Sequence, residues 1–361
     1  MKTFDIGIIG GGIVGTAIAF GELLRGKNVI IFDGDKDDNK ASFANFGLVW
    51  VQGKGKGLPA YQKLTKKSSD LWPGFVEQLE DISGIQLQYE RNGGLVLCVS
   101  EDDFERRQKH LEALSKDTNE TPDWEMLGRN ETQMRFGSLT LGCDVIGSSY
   151  CKRDGAVNPL RLAKALTIAI KKLGGVVMRQ APVQRITKNS QHWQLTTLKD
   201  TYSVGAVIVS AGLGSKTLAN DFGVDLPISA DKGQIIVCER MPQTLSLPAS
   251  GIRQTKDGTF MFGVTHEGDQ DRRSTLAGSQ KLAHRAIKIL PQLEHLKVVR
   301  QWAGHRIVTP DTYPIYMQPE ENLTFAVCHS GITLAAFHST DWIRSPRIFS
   351  DFNVRRFLKE E

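Results

Sequence analysis

Gly10, Gly12 and Gly15 stand at the G-x-G-x-x-G spacing within Gly10-Gly11-Gly12-Ile13-Val14-Gly15, and Asp33 closes the next apolar run. Residues of these types suit the binding of a dinucleotide. One glycine permits a tight turn, one lets backbone approach a pyrophosphate, and one lets a helix pack against a strand. The helix that opens at Ile13 and Val14 then turns N–H groups and a positive dipole end toward the diphosphate. Asp33 lies where a carboxylate accepts ribose hydroxyls, and no Arg follows it to receive a 2′-phosphate. The motif alone fits a nicotinamide dinucleotide as well as a flavin one. Other side chains could act on a substrate. Arg306, between Trp302-Ala303-Gly304 and Thr309-Pro310-Asp311, carries a guanidinium suited to bidentate pairing with a carboxylate. His266 and His329 could tune the protonation of an amine, line a pocket, or be satisfied structural histidines. Gln52 and Lys54 lie in a glycine-rich run, where a solvated loop is the simpler reading of the lysine.

These groups need elements to hold them. Residues 4–9 read as a strand, the glycines as a turn, the segment ending near Arg25-Gly26 as a helix, and 29–32 as a second strand. A polar loop over 34–40 follows. Ser42, Asn45 and Gly47 could bring backbone close to a ligand or form a turn with local side-chain bonds. Apolar residues recur at helical period over 61–79, where Leu64, Trp72 and Phe75 read as core. Residues 86–89 alternate and 93–94 are glycines before an apolar run to Val99, the pattern of a hairpin. A charged helix spans 102–114 and a polar loop 118–122. Asn158 is an expected N-cap with Pro159 in the first turn, and Gly174-Gly175 ends that helix. Residues 176–178 and Val183 continue as strands. The run 206–209 reads as a strand buried on both faces of a parallel sheet, and it ends in Ser210-Ala211-Gly212, small enough for backbone to pass a ligand. Short strands at 234–237 and 259–264 and a helix near 282–290 follow. The last strand covers 325–328, with a turn at His329-Ser330-Gly331 and a short helix from Ile332.

Composition is that of an ordinary globular protein, 40% hydrophobic and 24% charged, and the length suggests two domains. A net charge of +5 with scattered basic residues argues poorly for nucleic acid. No apolar run approaches the roughly 20 residues that cross a bilayer. A secretory signal is rejected, because Asp5 interrupts the first apolar stretch and no cleavage site suits it. The five cysteines share no metal-ligand spacing and read as reduced thiols in a cytoplasmic protein; no metal is expected.

With its pieces in this order, the chain resembles the FAD-dependent oxidoreductases of the D-amino acid oxidase and glycine oxidase family. The resemblance rests on the opening motif with Asp33, Ala41-Ser42 with Asn45 and Gly47-Leu48, Gly93-Gly94-Leu95, Gly155 with Pro159, Val183, Ser210-Ala211-Gly212, Lys232-Gly233-Gln234, Trp302 to Arg306, and His329-Ser330-Gly331-Ile332-Thr333. It covers residues 5–357. The run 48–54 looks closest to a bacterial branch with opine oxidase, hydrogen cyanide synthase and D-hydroxyproline dehydrogenase subunits.

The resemblance implies an α/β fold, with a Rossmann-like FAD-binding domain over 1–79, 144–225 and 302–361. A second, α+β substrate domain on an antiparallel sheet takes 80–143 and 226–301. It implies FAD held by Gly10, Gly12, Ile13, Val14, Gly15, Asp33, Ser42, Asn45, Gly47, Leu48, Val183, Ala211, Gly212, Gly331, Ile332 and Thr333. It further implies oxidation of a small amino or imino acid at its C–N bond by hydride transfer to flavin N5. Arg306 would hold the carboxylate, and His329, His266, Gln52 and Lys54 would stand near. Electrons would pass to oxygen, a partner redox subunit or a quinone, with homo- or hetero-oligomers possible. Three alternatives stay open: a flavin subunit inactive alone, an NAD-dependent dehydrogenase, and a flavin domain acting on modified tRNA, which the weak basic excess opposes. The family pattern usually has extra residues, often an Arg, between the His and Gly of the last turn. Here only Ser330 stands there.

Overall fold

The computed structural model describes residues 3–34, 41–118, 121–189, 191–268, 271 and 273–358. The expected loops at 34–40 and 118–122 lie partly outside these residues. The opening strand Thr3–Ile9 pairs in parallel with Val29–Asp33 on one side and Thr201–Val209 on the other. Val176–Arg179 extends the sheet beyond Val29–Asp33 and Leu323–Val327 beyond Thr201–Val209, both parallel, and the antiparallel Ile315–Glu320 closes that edge. Alternate residues feed opposite faces, as strand geometry requires. Ile30 and Phe32 join one core with Val207, Val209 and Trp193, while Val29 and Ile31 join another with Ile208 and helix residues Ile18 and Leu23. Helices Ile13–Leu24 and Pro159–Lys172 cover the second face. Strands Val183–Lys188 and Trp193–Thr197 form a meander that supplies Trp193 and Leu195 to the first.

The expected cap is present: Asn158 Oδ1 accepts from the Leu160 and Arg161 N–H groups. The helix expected at 61–79 runs Pro59–Ser83, and that at 102–114 runs Glu101–Thr118. The hairpin expected at 86–99 does not form. Gly94–Cys98 pairs with Gly147–Cys151 instead, which also pairs with Trp124–Gly128. Residues 86–90 are held elsewhere. Leu87 is buried beside Trp72 and Phe75, its N–H donates to Glu80, and Gln88 takes φ +55°.

A four-stranded antiparallel sheet is built from Ile252–Gln254, Thr259–Gly263, Ser229–Arg240 and Val298–Val308, in that order. Helix Leu276–Ile289 packs on it, and one apolar core joins helix, sheet and the three-stranded sheet. Two strand pairings join segments on either side of the expected boundaries. Gly147–Cys151 pairs with Gly94–Cys98, and Val298–Val308 runs across position 302, paired with Ser229–Arg240 in one register from Arg300 to Val308 and shifted at Val298.

Candidate active site

Four chain segments leave the C-terminal ends of neighbouring parallel strands: the glycine turn after Ile9, Gly34 after Asp33, Ser210 after Val209, and Cys328 after Val327. Ligands of open α/β sheets bind at that edge. A cavity of about 1020 Å³ opens there and continues to the antiparallel sheet, where it reaches Gly233, Val264, His266 and Gly304–Ile307.

At the sheet edge the walls are mostly backbone. Gly10 has φ +116°, and a Cβ there would stand 2.3 Å from Ser210 O. A Cβ on Gly15 would stand 2.0 Å from Gly10 O, so the helix packs directly on the turn. The helix has no acidic residue in its first turn. Ser42 Oγ accepts from the Ile13 N–H at 3.0 Å. Gly10, Gly12, Ile13, Val14, Asp33, Ser42, Asn45, Val183, Ala211, Gly212, Gly331 and Ile332 all line the cavity. Asn45 uses its side chain locally, donating to Ala41 O and Ser42 O and accepting from Gly47 N.

Gly15, Gly47, Leu48 and Thr333 stand behind the wall. Leu48 pairs with Ala156, and Gly47 O accepts from Val157 N. Thr333 Oγ1 accepts from the Trp50 N–H, while its carbonyl accepts from Ser68 and Trp72. It therefore anchors the last turn to segment 48–50 and to helix Pro59–Ser83.

Arg306, His266 and His329 line the other end. Arg306 Nη2 lies 2.7 Å from Asp231 Oδ2 and donates to Thr265 O at 2.6 Å. Burial lowers the arginine's pKa against the opposing pull of Asp231. His266 Nδ1 is 2.8 Å from the same Asp231 oxygen, and the ring is 73% exposed, which sets it at the mouth. His329 shows a face to the cavity. The enclosing protein pushes its pKa down to about 3, with Lys54 and Arg306 adding to the effect. The imidazole is therefore neutral near pH 7.

Lys54 does not line the cavity. Its Nζ donates to Ser330 Oγ at 2.6 Å, Tyr61 donates to the same oxygen at 3.1 Å, and His329 Nδ1 is 3.4 Å from it. Burial pulls the Lys54 ammonium down to about 8, against Asp154 and Cys328. Gln52 is further away. Its amide donates to Gly94 O and Asp154, and its oxygen accepts from Arg107 and Ser149. Asp154 is itself fully buried, and its carboxyl is pushed up to about 7.

Sequence reasoning missed Asp231, whose cross-strand register with Arg306 no local pattern shows. It also did not single out His305, which lines the cavity with a buried Nε2 lacking a partner among the described residues, or Cys328, which joins the core and lines the cavity too.

The cavity has the features a flavin dinucleotide requires. Glycines stand where a side chain would fill it, a helix N-terminus and Asp33 stand at one end, and neutral and cationic side chains stand at the other. The family described as FAD dependent oxidoreductase (DAO) matches residues 5–339. An opine oxidase subunit of Rhizobium meliloti is 38% identical over 369 residues, covering 99% of this chain and 98% of that protein. The glycine oxidase of Bacillus licheniformis is 26% identical, over 92% of this chain and 90% of its own. The crystal structure of glycine oxidase from Geobacillus kaustophilus superposes with a TM-score of 0.83 at 26% identity, covering 94% of this chain and 93% of that one.

Proposed function

Because this chain belongs to the DAO family of FAD-dependent oxidoreductases, we propose that it oxidises the C–N bond of a small amino or imino acid to an imine, which water then hydrolyses. The family is FAD-dependent, which removes the nicotinamide alternative left open by the glycine motif. The observation that carries the reading is the single cavity running from the N-terminus of helix Ile13–Leu24 to Arg306. When bound, FAD supplies the acceptor for the hydrogen and electron pair that leave the substrate Cα.

The chain's own residues do the rest. The Arg306 guanidinium holds the substrate carboxylate and so fixes Cα in the cavity. A neutral His329 ring accepts a hydrogen bond from the substrate amine without adding charge beside it, which favours the unprotonated amine that can lose a hydrogen from Cα. Lys54 and Tyr61 hold Ser330, and Thr333 holds the backbone after it, so the last turn keeps one geometry. Gly331 and Ile332 line the cavity, where backbone N–H groups of that turn would stabilise negative charge.

A second reading keeps the same chemistry inside a heteromer. The relative from Rhizobium meliloti is named a subunit and matches end to end, which favours a partner that takes the electrons onward to oxygen or a quinone. No helix among the described residues is long and apolar enough to cross a membrane.

The test is an anaerobic visible spectrum of the purified protein with glycine, sarcosine, D-proline, D-hydroxyproline, D-alanine and opines. Bleaching of the flavin band by one of them supports the reading, and admitting air then distinguishes oxygen from a partner as acceptor. A flavin band that no amino acid bleaches, alone or with an artificial dye as acceptor, counts against it.

A further inference from the structure

Arg306 is already paired, and the pairing is one-sided. Its hydrogen-bond-range contacts all come from Nη2: Asp231 Oδ2 at 2.7 Å, Thr265 O at 2.6 Å, His266 Nδ1 at 3.2 Å and Lys232 O at 3.4 Å. Nε is buried, and neither it nor Nη1 makes a hydrogen bond to the described residues. The sheet itself fixes this arrangement. Asp231 lies directly opposite Arg306 in the pairing of Ser229–Arg240 with Val298–Val308. Two residues on, Gly233 leaves room for the guanidinium to lie flat, since a Cβ there would stand 2.9 Å from Cζ and Nη1. Arg306, Gly233 and His266 line the cavity and Asp231 does not, so Asp231 reaches a ligand through Arg306.

We infer that Asp231 is a positioning residue that sets the charge selectivity of this end: it fixes Nη2, leaves one face of Arg306 for a single ligand carboxylate, and by its own charge opposes a second. The inference rests on the reading of Arg306 as the carboxylate anchor. One guanidinium charge is shared between Asp231 and the first ligand carboxylate. A second carboxylate then meets unbalanced negative charge, and like charges brought together at a desolvated site are costly. The neighbouring cation does not relieve it, because Lys232 is fully buried and paired with Glu267 at 3.1 Å. The substrate class that fits carries one carboxylate beside the reacting carbon, with an uncharged or cationic remainder at this end.

The experiment titrates acetate and malonate into FAD-loaded wild type, Asp231→Asn and Arg306→Ala, reading the shift of the flavin visible band. In Asp231→Asn the amide oxygen still accepts from Nη2 while the charge is gone. The malonate affinity is expected to rise about tenfold more than the acetate affinity. A residue that only held the fold would weaken both ligands together. An unchanged malonate-to-acetate ratio, or a parallel loss of both, overturns the role of Asp231 and leaves the anchor standing. Acetate bound as in wild type by Arg306→Ala, or no shift with either ligand in any of the proteins, removes the anchor and the inference with it. Should Asp231→Asn not retain flavin, Asp231→Ser gives the same comparison.

Discussion

The two ends of the cavity are built by opposite means. At the sheet edge, turns that follow directly on parallel strands line the cavity: Gly10 to Gly12 after one strand, Ala211 and Gly212 after another. At the far end, side chains from distant parts of the chain meet and balance charge, with Asp231 and Arg306 on paired strands, His266 beyond a third, and His329 after the last. The first kind of site is set by shape and is intolerant of a single methyl group. The second is set by charge and hydrogen bonding, and it tolerates changes of shape better than changes of sign.

That contrast predicts its largest effect at Gly10. An alanine there would carry φ +116° and a Cβ 2.3 Å from Ser210 O, a strain and clash of roughly 3 kcal/mol or more. Gly10→Ala should purify with little or no flavin, measured as the ratio of visible to ultraviolet absorbance. Full flavin occupancy in that variant would abolish the distinction between the ends. Arg306→Ala should behave in the opposite way. Flavin content stays at the wild-type level, and kcat/KM for a carboxylate-bearing amine falls roughly 100- to 1000-fold. An amine lacking the carboxylate should lose far less, and equal losses for the two substrates would strip Arg306 of its anchoring role.

Legibility in the sequence follows the same division. The glycine spacing, Asp33 and the buried run ending at Ser210 are local patterns, and each precedes a wall of the cavity. The longer helices were readable for the same reason, down to the Asn158 cap, whereas Arg129–Phe136 and Ser215–Asn220 were not foreseen. Pairings between distant segments were not. The hairpin expected at 86–99 failed because the partner of Gly94–Cys98 lies at Gly147–Cys151. Gln52 and Lys54 stand in one short run, yet Gln52 bonds to Asp154, Arg107 and Ser149, and Lys54 to Ser330. Asp231 could not be matched to Arg306, because the antiparallel register that joins them spans an intervening helix and two other strands.

The ends should also differ in their response to pH. Lys54, His329 and His338, at and around the last turn, are among the groups whose protonation folding displaces, as is the buried Asp154 beside Gln52. His338 gives the cleanest case, being fully buried with Nε2 2.8 Å from the Tyr316 hydroxyl. Burial holds its pKa near 3 against 6.5 when unfolded. The unfolded chain therefore takes up the proton first. The stability associated with the neutral ring is complete above pH 6.5 and is lost as pH falls toward 3, at about 1.4 kcal/mol per pH unit. Denaturant midpoints across that window should fall more steeply for wild type than for His338→Gln. Parallel slopes would show that the acid sensitivity lies elsewhere.

Ser42 sharpens the comparison because its side chain hydrogen-bonds to the backbone of the glycine-turn helix. Its Oγ accepts from the Ile13 N–H at 3.0 Å, at the first residue of the helix. A hydroxyl in that position stabilises the helix start by about 1 kcal/mol and ties Ser42 to the glycine turn. Ser42→Ala should weaken FAD binding roughly fivefold, the equivalent of that 1 kcal/mol, and should change acetate affinity less than FAD affinity. Calorimetric titration of the apoprotein with FAD measures the first, and the acetate-induced shift of the flavin band measures the second. If Ser42→Ala lost FAD as completely as Gly10→Ala, side-chain hydrogen bonding would govern the nucleotide end as well. If it lost none, the close backbone approach of the glycine turn would account for that end by itself.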